Sequence, residues 1–168
     1  MRRPPVSSRF ALPLALLLGF AAGCARQSPE PAAAPAARRH EHRPPHGGTP
    51  VVLGDESYHV ELVRDAATGR LQAYVFDGEL ENFIRSPLPA LTIDARINGA
   101  DQTLVLAAVA NPATGETVGD TALFEGAADW LRTTDRFDAT LRTITIRGTT
   151  FTDVKFNFPL GNDQDVAR

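Results

Sequence analysis

The sequence is poor in sulfur and lacks a long apolar run. It contains one cysteine and one methionine in 168 residues. Its main apolar stretch, residues 10–23 (FALPLALLLGFAAG), is shorter than the roughly 20 residues that a membrane-spanning helix needs. Hydrophobic residues make up 43% of the chain and its mean hydropathy is -0.16, which argues against several membrane spans. The length allows one ordinary domain with a sizeable core.

The beginning of the chain has the organisation of a secretory leader. Residues 1–9 are basic, and the apolar run that follows has the length of a signal-peptide hydrophobic region. This run ends in the sequence AAGC, which resembles the lipobox of bacterial lipoproteins. The resemblance implies that residues 1–23 are a lipoprotein signal peptide and that Cys24 carries the lipid, palmitate included. The alternative is an incidental cysteine after an ordinary signal peptide.

The same resemblance implies a location for the protein. Ala25 follows the cysteine, and in lipoproteins of two-membrane bacteria a residue other than aspartate there usually directs sorting to the outer membrane. We therefore expect a lipid-anchored protein of the cell envelope, in the outer membrane and facing the periplasm. An acylated Cys24 leaves no thiol, which excludes disulfides and thiolate-based metal or redox chemistry. Met1 is lost with the leader, so a methionine-lined Cu(I) site is excluded as well.

The charge of the chain is acidic. The net charge is -3, and the leader holds arginines but no acidic residue, so its removal makes the charge more negative. An acidic domain repels phosphate backbones, and nucleic acid is therefore not an expected partner. The expected partners are the membrane, through the lipid, and an envelope protein.

Composition divides the remainder of the chain into three parts. Residues 24–47 are rich in alanine, proline and histidine, which is typical of an extended, flexible tether that follows the lipidated cysteine. Residues 48–160 contain alternating apolar runs between turn residues, which predicts the folded domain. Residues 161–168 are predicted to be a flexible tail.

The apolar runs predict an all-β domain. About eight short strands with almost no helical periodicity favour an antiparallel β-sandwich, with open barrel-like packing as the alternative. The expected strands are residues 51–53, 57–64, 71–76, 90–97, 103–110, 122–124, 139–146 and 151–158, with one helical turn at residues 127–132.

Two turns decide strand register. If Gly54 and Asp55 form a tight turn, Pro50 lies opposite His59. Gly48 then lies opposite Glu61. Near the end of the chain, a two-residue turn at residues 147–148 would set Arg142 opposite Asp153 and Leu141 opposite Val154, whereas a bulged turn would shift that pairing.

Residues 46–77 carry a further resemblance. Their features are a His-Gly-Gly entry at residues 46–48, a short apolar strand, the strand YHVELV at residues 58–63, and a turn that contains Asp65. This combination resembles uncharacterised bacterial lipoproteins and periplasmic segments attached to heavy-metal efflux adaptor proteins. The resemblance implies a link to metal handling or efflux.

The candidate metal ligands are the four histidines of the chain and one carboxylate on the same strand as His59, namely His40, His42, His46, His59 and Glu61. Imidazole and carboxylate ligands suit a divalent transition metal such as Zn(II) or Cu(II). His59 and Glu61 share one strand face, and the two glycines after His46 permit a sharp approach to it. We therefore expect a site in which a rigid His59 and Glu61 are joined by His46. The alternative is a solvated histidine-rich tether and a half-exposed His59.

Other functions have less support in the sequence. Ser57 and Ser86 lack a nucleophile-elbow context, no phosphate-binding glycine loop is present, and the acidic run DGELE at residues 77–81 is typical of a solvated loop. We therefore expect no enzymatic activity. A different hypothesis is an envelope interaction module that binds a protein or glycan without metal. An exposed aromatic cluster of Phe83 with Phe76 or Tyr74 would favour that hypothesis, whereas converging histidines would favour metal.

Overall fold

The computed structural model describes residues 43–162. The predicted signal peptide, Cys24, His40 and His42 lie outside these residues, as does the chain from residue 163 onwards. Within the described range, the structure has no helix of the length and apolar character that crossing a bilayer requires.

The described domain consists of eight β-strands and one short 3-10 helix. The strands are β1 (Thr49–Leu53), β2 (Tyr58–Asp65), β3 (Arg70–Asp77), β4 (Ala90–Ile97), β5 (Ala100–Ala108), β6 (Leu123–Ala127), β7 (Phe137–Ile146) and β8 (Thr149–Phe158), and the helix is Asp129–Arg132. Each expected strand overlaps one of these, and the helix lies where a helical turn was expected.

All eight strands belong to one antiparallel sheet, in the order β1-β2-β3-β6-β5-β4-β7-β8. The prediction of an all-β fold with about eight antiparallel strands is therefore confirmed. The sheet curls until β1 and β8, the first and last strands of this order, approach each other. The strands that enclose the core are thus one nearly closed, continuous sheet, as in the barrel-like alternative.

The core follows from residue alternation along the strands. In β4, Leu91, Ile93 and Ala95 are buried, while Arg96 is exposed on the other side of the sheet. Successive side chains of a strand point to opposite faces, so every second residue reaches the interior.

The seam between β1 and β8 is closed by the residues that follow β8. The Val52 N–H donates to Asn162 Oδ1 at 2.7 Å, and Asn162 Nδ2 donates to the Val52 carbonyl at 3.0 Å. Gly161 lies so close to β1 that an added Cβ would overlap the carbonyl oxygen of Pro50. Both residues fall in the segment expected to be a flexible tail, and they belong to the packed domain.

The two hairpin turns have different outcomes. Arg147 and Gly148 have positive φ angles of 49° and 81°, and Leu141 pairs with Val154, so the register of a two-residue turn is confirmed. Arg142 Nη1 accordingly lies 2.8 Å from Asp153 Oδ1.

The expected tight turn between β1 and β2 is wrong. Leu53 pairs with Tyr58, so residues 54–57 form a longer loop, and Pro50 lies opposite Glu61 instead of His59. The pairing is displaced by two residues, which is one full period of a strand. His59 and Glu61 therefore keep the face that the sequence predicted for them.

Candidate functional site

Glu61 is the centre of the candidate site. It lies in β2 with an exposed fraction of 0%, and its side chain lies on the side of the sheet away from the core residues Val60 and Leu62. Its Oε1 accepts the backbone N–H groups of His46 and Gly48, each at 2.8 Å. Its Oε2 lies 2.7 Å from His46 Nδ1. A buried carboxylate needs such partners, because an unpaired buried charge is costly.

The glycines after His46 let the chain wrap around this carboxylate. Gly47 has a φ angle of 68°, in the left-handed region that favours glycine. A Cβ on Gly48 would lie 2.6 Å from the Leu62 carbonyl oxygen and 2.9 Å from Glu61 Cγ. The His-Gly-Gly sequence therefore fits a backbone path that a larger residue at position 48 would block.

The contact with Glu61 fixes the tautomer of His46. An ionised carboxylate only accepts hydrogen bonds, so His46 Nδ1 carries the hydrogen and donates it to Glu61 Oε2. In the neutral imidazole the other ring nitrogen, Nε2, then holds the lone pair. Because the His46 side chain is 34% exposed, this nitrogen belongs to a ring that is partly open to solvent.

Three aromatic rings surround the His46 imidazole. The imidazole stacks on Tyr74 with ring centroids 4.0 Å apart and an interplanar angle of 15°. Phe83 stacks on Phe76 at 4.6 Å, and its ring centroid lies 6.2 Å from those of His46 and Tyr74. Phe76 is buried, whereas Phe83 is 57% exposed. We call His46, Tyr74, Phe76 and Phe83 the aromatic platform.

Strand pairing explains why these rings meet above Glu61. Tyr74 and Phe76 alternate on β3, and they pair with Glu61 and His59 of β2, respectively. Paired residues of neighbouring strands lie on the same face of a sheet, so the rings and Glu61 share one surface. Phe83 joins this surface because the segment after β3 folds back and forms a bridge between Phe83 and Phe76.

Asp77 holds that fold-back in place. Its Oδ1 accepts the N–H groups of Glu81 at 3.0 Å and Asn82 at 3.2 Å, and its Oδ2 accepts Asn82 Nδ2 at 2.7 Å. Desolvation raises the pKa of Asp77, but the hydrogen bonds from Asn82 and from backbone N–H groups outweigh it and hold the pKa below its ordinary value. The loop that carries Phe83 is therefore fixed by an ionised side chain.

The surroundings of Tyr74 are electrostatically negative. Desolvation raises the pKa of the Tyr74 phenol, and the carboxylates of Glu61 and Glu125 raise it further, while Arg70 opposes them. Arg70 contacts two carboxylates: its Nη1 lies 3.5 Å from Glu125 Oε1, and its Nη2 lies 3.9 Å from Asp65 Oδ2. Two carboxylates and one cation therefore act on this phenol.

The predicted ligands are only partly brought together. His46 and Glu61 are in direct contact, as the glycine entry suggested. His59 is 2% exposed, and its Nδ1 lies 3.4 Å from the Asp77 carbonyl oxygen, so it is not the half-exposed residue of the alternative hypothesis. Among residues 43–162, no three His, Cys, Asp or Glu side chains are grouped as a metal site would require. His40 and His42 lie outside the described residues.

Sequence reasoning found the members of the platform but not their arrangement. The alternation of Tyr74 and Phe76 along β3, on the same face of the sheet as His59 and Glu61 of β2, was a usable signal. Nothing in the strand pattern indicated that Phe83 would return across β3, since that depends on the hydrogen bonds of Asp77. The contribution of Glu125 was also missed, because β3 pairs with β6 across about 50 residues of intervening chain.

Comparison of the chain with protein-family models, with curated proteins and with solved structures gave no match.

Proposed function

We propose that the chain is a lipid-anchored, non-enzymatic binding module of the cell envelope that recognises a protein partner through the aromatic platform. The observation that carries the proposal is the 57% exposure of Phe83 within an ordered stack of rings. Large aromatic side chains on a surface, with a fixed and partly buried backing, are typical of interaction sites.

The order of the platform supports this function energetically. Phe83 stacks on the buried Phe76, and the preceding loop is held by the carboxylate of Asp77. A ring that is already fixed loses little conformational freedom when a partner covers it, so more of the buried apolar area contributes to affinity. An aromatic side chain on a mobile loop would lack this advantage.

The location in the envelope is part of the proposal and rests on the leader sequence. The lipid on Cys24 would anchor the chain in the outer membrane, and the tether between Cys24 and His46 would allow the domain to reach partners in the periplasm.

Site-specific photo-crosslinking in intact cells tests the proposal. A benzophenone side chain placed at position 83 should give one discrete protein adduct, whereas the same group at Val118, which is 63% exposed and is not one of the rings of the platform, should not. Equal labelling from both positions, or no adduct from position 83, would contradict a protein-binding platform. An adduct whose added mass is removed by a glycosidase would contradict a protein partner and would mean that the platform binds a glycan.

A second candidate function is the binding of Zn(II) or Cu(II), and the pairing of His46 with Glu61 favours it. Metal-binding histidines commonly donate their second ring N–H to a carboxylate, which orients the ring and strengthens the other nitrogen as a ligand. His46 Nδ1 has this partner at 2.7 Å, so Nε2 would be the ligand. His40 and His42 of the tether would complete the site, with Glu61 and His59 as the rigid support, in an accessory role in metal handling or efflux.

Calorimetry on the protein purified without a histidine tag tests this candidate. His46→Ala should abolish one-to-one binding, and Glu61→Gln should weaken it by about 10- to 100-fold through loss of the supporting carboxylate. Affinity should fall on acidification, because only a neutral imidazole binds metal. Unchanged affinity in His46→Ala would exclude the site.

A further inference from the structure

We propose that the group bound by the aromatic platform is a cation, namely the guanidinium of an arginine in a basic segment of the partner protein. This inference rests on the proposed function and specifies the chemistry of its partner. It joins two independent features of the same surface, which are the exposed ring faces and the excess of negative charge around them.

The first feature is the shape of the ring surface. One face of Phe83 is covered by Phe76, and 57% of the residue remains exposed. The face of an aromatic ring carries the negative part of its quadrupole, so a cation within about 6 Å of the ring centroid is attracted to it. Tyr74, whose centroid lies 6.2 Å from that of Phe83, has one face covered by His46, so Phe83 offers the open face and Tyr74 borders it.

The second feature is the local charge. Glu61 lies beneath the platform, where its carboxylate accepts the backbone N–H groups of His46 and Gly48 and contacts the imidazole of His46. Desolvation is the main reason that the pKa of the Tyr74 phenol is raised, and the carboxylates of Glu61 and of Glu125, on β6, raise it further. A field that opposes an additional negative charge at this position favours a positive one.

The loop that carries Phe83 strengthens this asymmetry. Glu81, two residues before Phe83, is exposed. Arg85, two residues after it, is directed elsewhere, with Nη1 at 2.8 Å from Asp120 Oδ2 and Nη2 at 2.6 Å from the Thr114 carbonyl. The cation of this loop is therefore paired away from the platform.

Arginine fits this surface better than lysine. The guanidinium is planar and weakly hydrated, so it can stack on a ring face while its N–H groups donate to a neighbouring carboxylate. An ammonium is a compact and strongly hydrated charge that gains less from an exposed ring. A stacked guanidinium above Phe83 would have Glu81 of the same loop as a candidate acceptor.

The experiment measures the binding of short peptides to the full protein in detergent. The probes are tetra-arginine amide, tetra-lysine amide and tetra-citrulline amide, the last of which keeps the shape of arginine without its charge. Backbone amide shifts in NMR spectra locate the binding, and titration gives the affinity. The protein variants are Phe83→Ala, Glu125→Gln and, as the matched control at an exposed apolar residue, Val118→Ala.

The expected result is a set of shifts centred on Phe83 and Tyr74 with tetra-arginine as the strongest ligand. Phe83→Ala should weaken this binding by about two- to fivefold, which is the usual effect of one exposed cation–π contact. Glu125→Gln should also weaken it, and Val118→Ala should have no effect. Binding should decrease when NaCl is raised from about 50 mM to about 500 mM, because the attraction is screened.

Three outcomes would overturn the inference. Equal affinity for tetra-citrulline and tetra-arginine would show that charge is not recognised. Shifts centred away from Phe83 would place cation binding on another surface. Binding that appears only after Arg38→Gln and Arg39→Gln would show that arginines of this chain, and not of a partner, take the platform. If the crosslink from position 83 still forms, the binding module stands and only its preference for cations fails.

Discussion

Replacement of Glu61 by glutamine tests the construction of the site most sharply. Glutamine has nearly the same shape, so its side-chain oxygen can still accept the N–H groups of His46 and Gly48. Its NH₂ group then points at His46 Nδ1, which must give up its hydrogen and accept one. The variant therefore loses the charge-assisted bond and forces His46 to carry its hydrogen on Nε2.

The expected cost follows from the burial of the carboxylate. Glu61 has an exposed fraction of 0%, and hydrogen bonds to a charged group are typically worth about 1.5–3 kcal/mol, so we expect Glu61→Gln to lower the free energy of unfolding by about that amount. Urea unfolding followed by far-UV circular dichroism measures this loss by linear extrapolation. Glu81→Gln is the matched control, since Glu81 is exposed and its replacement should change stability by less than about 0.5 kcal/mol.

Nitrogen NMR of the imidazole provides a second readout, because it reports which ring nitrogen of His46 carries the hydrogen, and a loss of stability by itself would not change that. In the unaltered protein the Nδ1 of His46 should carry the hydrogen, and in Glu61→Gln the hydrogen should move to Nε2. A loss of stability as small as that of Glu81→Gln, together with an unchanged tautomer, would refute the assignment of Glu61 as the partner that orients His46.

Three further predictions concern the fold and the anchor. Phe156→Ala should destabilise the domain by about 3–5 kcal/mol in the same urea assay, because this ring is buried in the core, and a loss well below about 1 kcal/mol would contradict that burial. Asp77→Asn should lower the free energy of unfolding by its full amount at neutral pH, and this difference from the unaltered protein should shrink as the pH falls below about 4. The reason is that the folded-state pKa of Asp77 lies below its ordinary value of 3.8, and an effect that grows on acidification would contradict it. Cys24→Ser should release the protein from membranes in fractionation, and a membrane-bound variant that retains its leader would contradict lipid anchoring.

The contact between His46 and Glu61 could be anticipated from the sequence because it depends on local rules. Strand alternation places Glu61 and His59 on one face, and the two glycines allow His46 to approach that face. The turn between β1 and β2 was misjudged, yet its error of two residues equals the strand period, so the face was preserved.

Closure of the sheet could not be anticipated in the same way. Val52 and Asn162 are 110 residues apart, and the hydrogen bonds between them replace a strand partner that no local pattern indicates. Pro50 has no N–H to donate, and Asn162 satisfies Val52, so the outer edge of β1 is protected from pairing with other chains. Such an arrangement depends on how eight strands are ordered, which alternation does not specify.

The position of Phe83 above β3 could not be predicted from the sequence either. The acidic run at residues 77–81 was interpreted as a solvated loop, whereas Asp77 of this run uses its carboxylate to fix the fold-back. Composition shows that such a loop is polar, but it does not show which N–H groups will donate hydrogen bonds to a given carboxylate. The platform therefore becomes visible only when the strand pairing and this loop are combined.

The most direct test of the account is the dependence of the photo-crosslink on a second ring of the platform. The benzophenone group is placed at position 83 in intact cells, in chains that otherwise carry Tyr74→Ala or Val118→Ala. The discrete adduct should be lost with Tyr74→Ala and retained with Val118→Ala, because only Tyr74 belongs to the bound surface. An adduct that is indifferent to Tyr74→Ala would contradict the aromatic platform as the binding site.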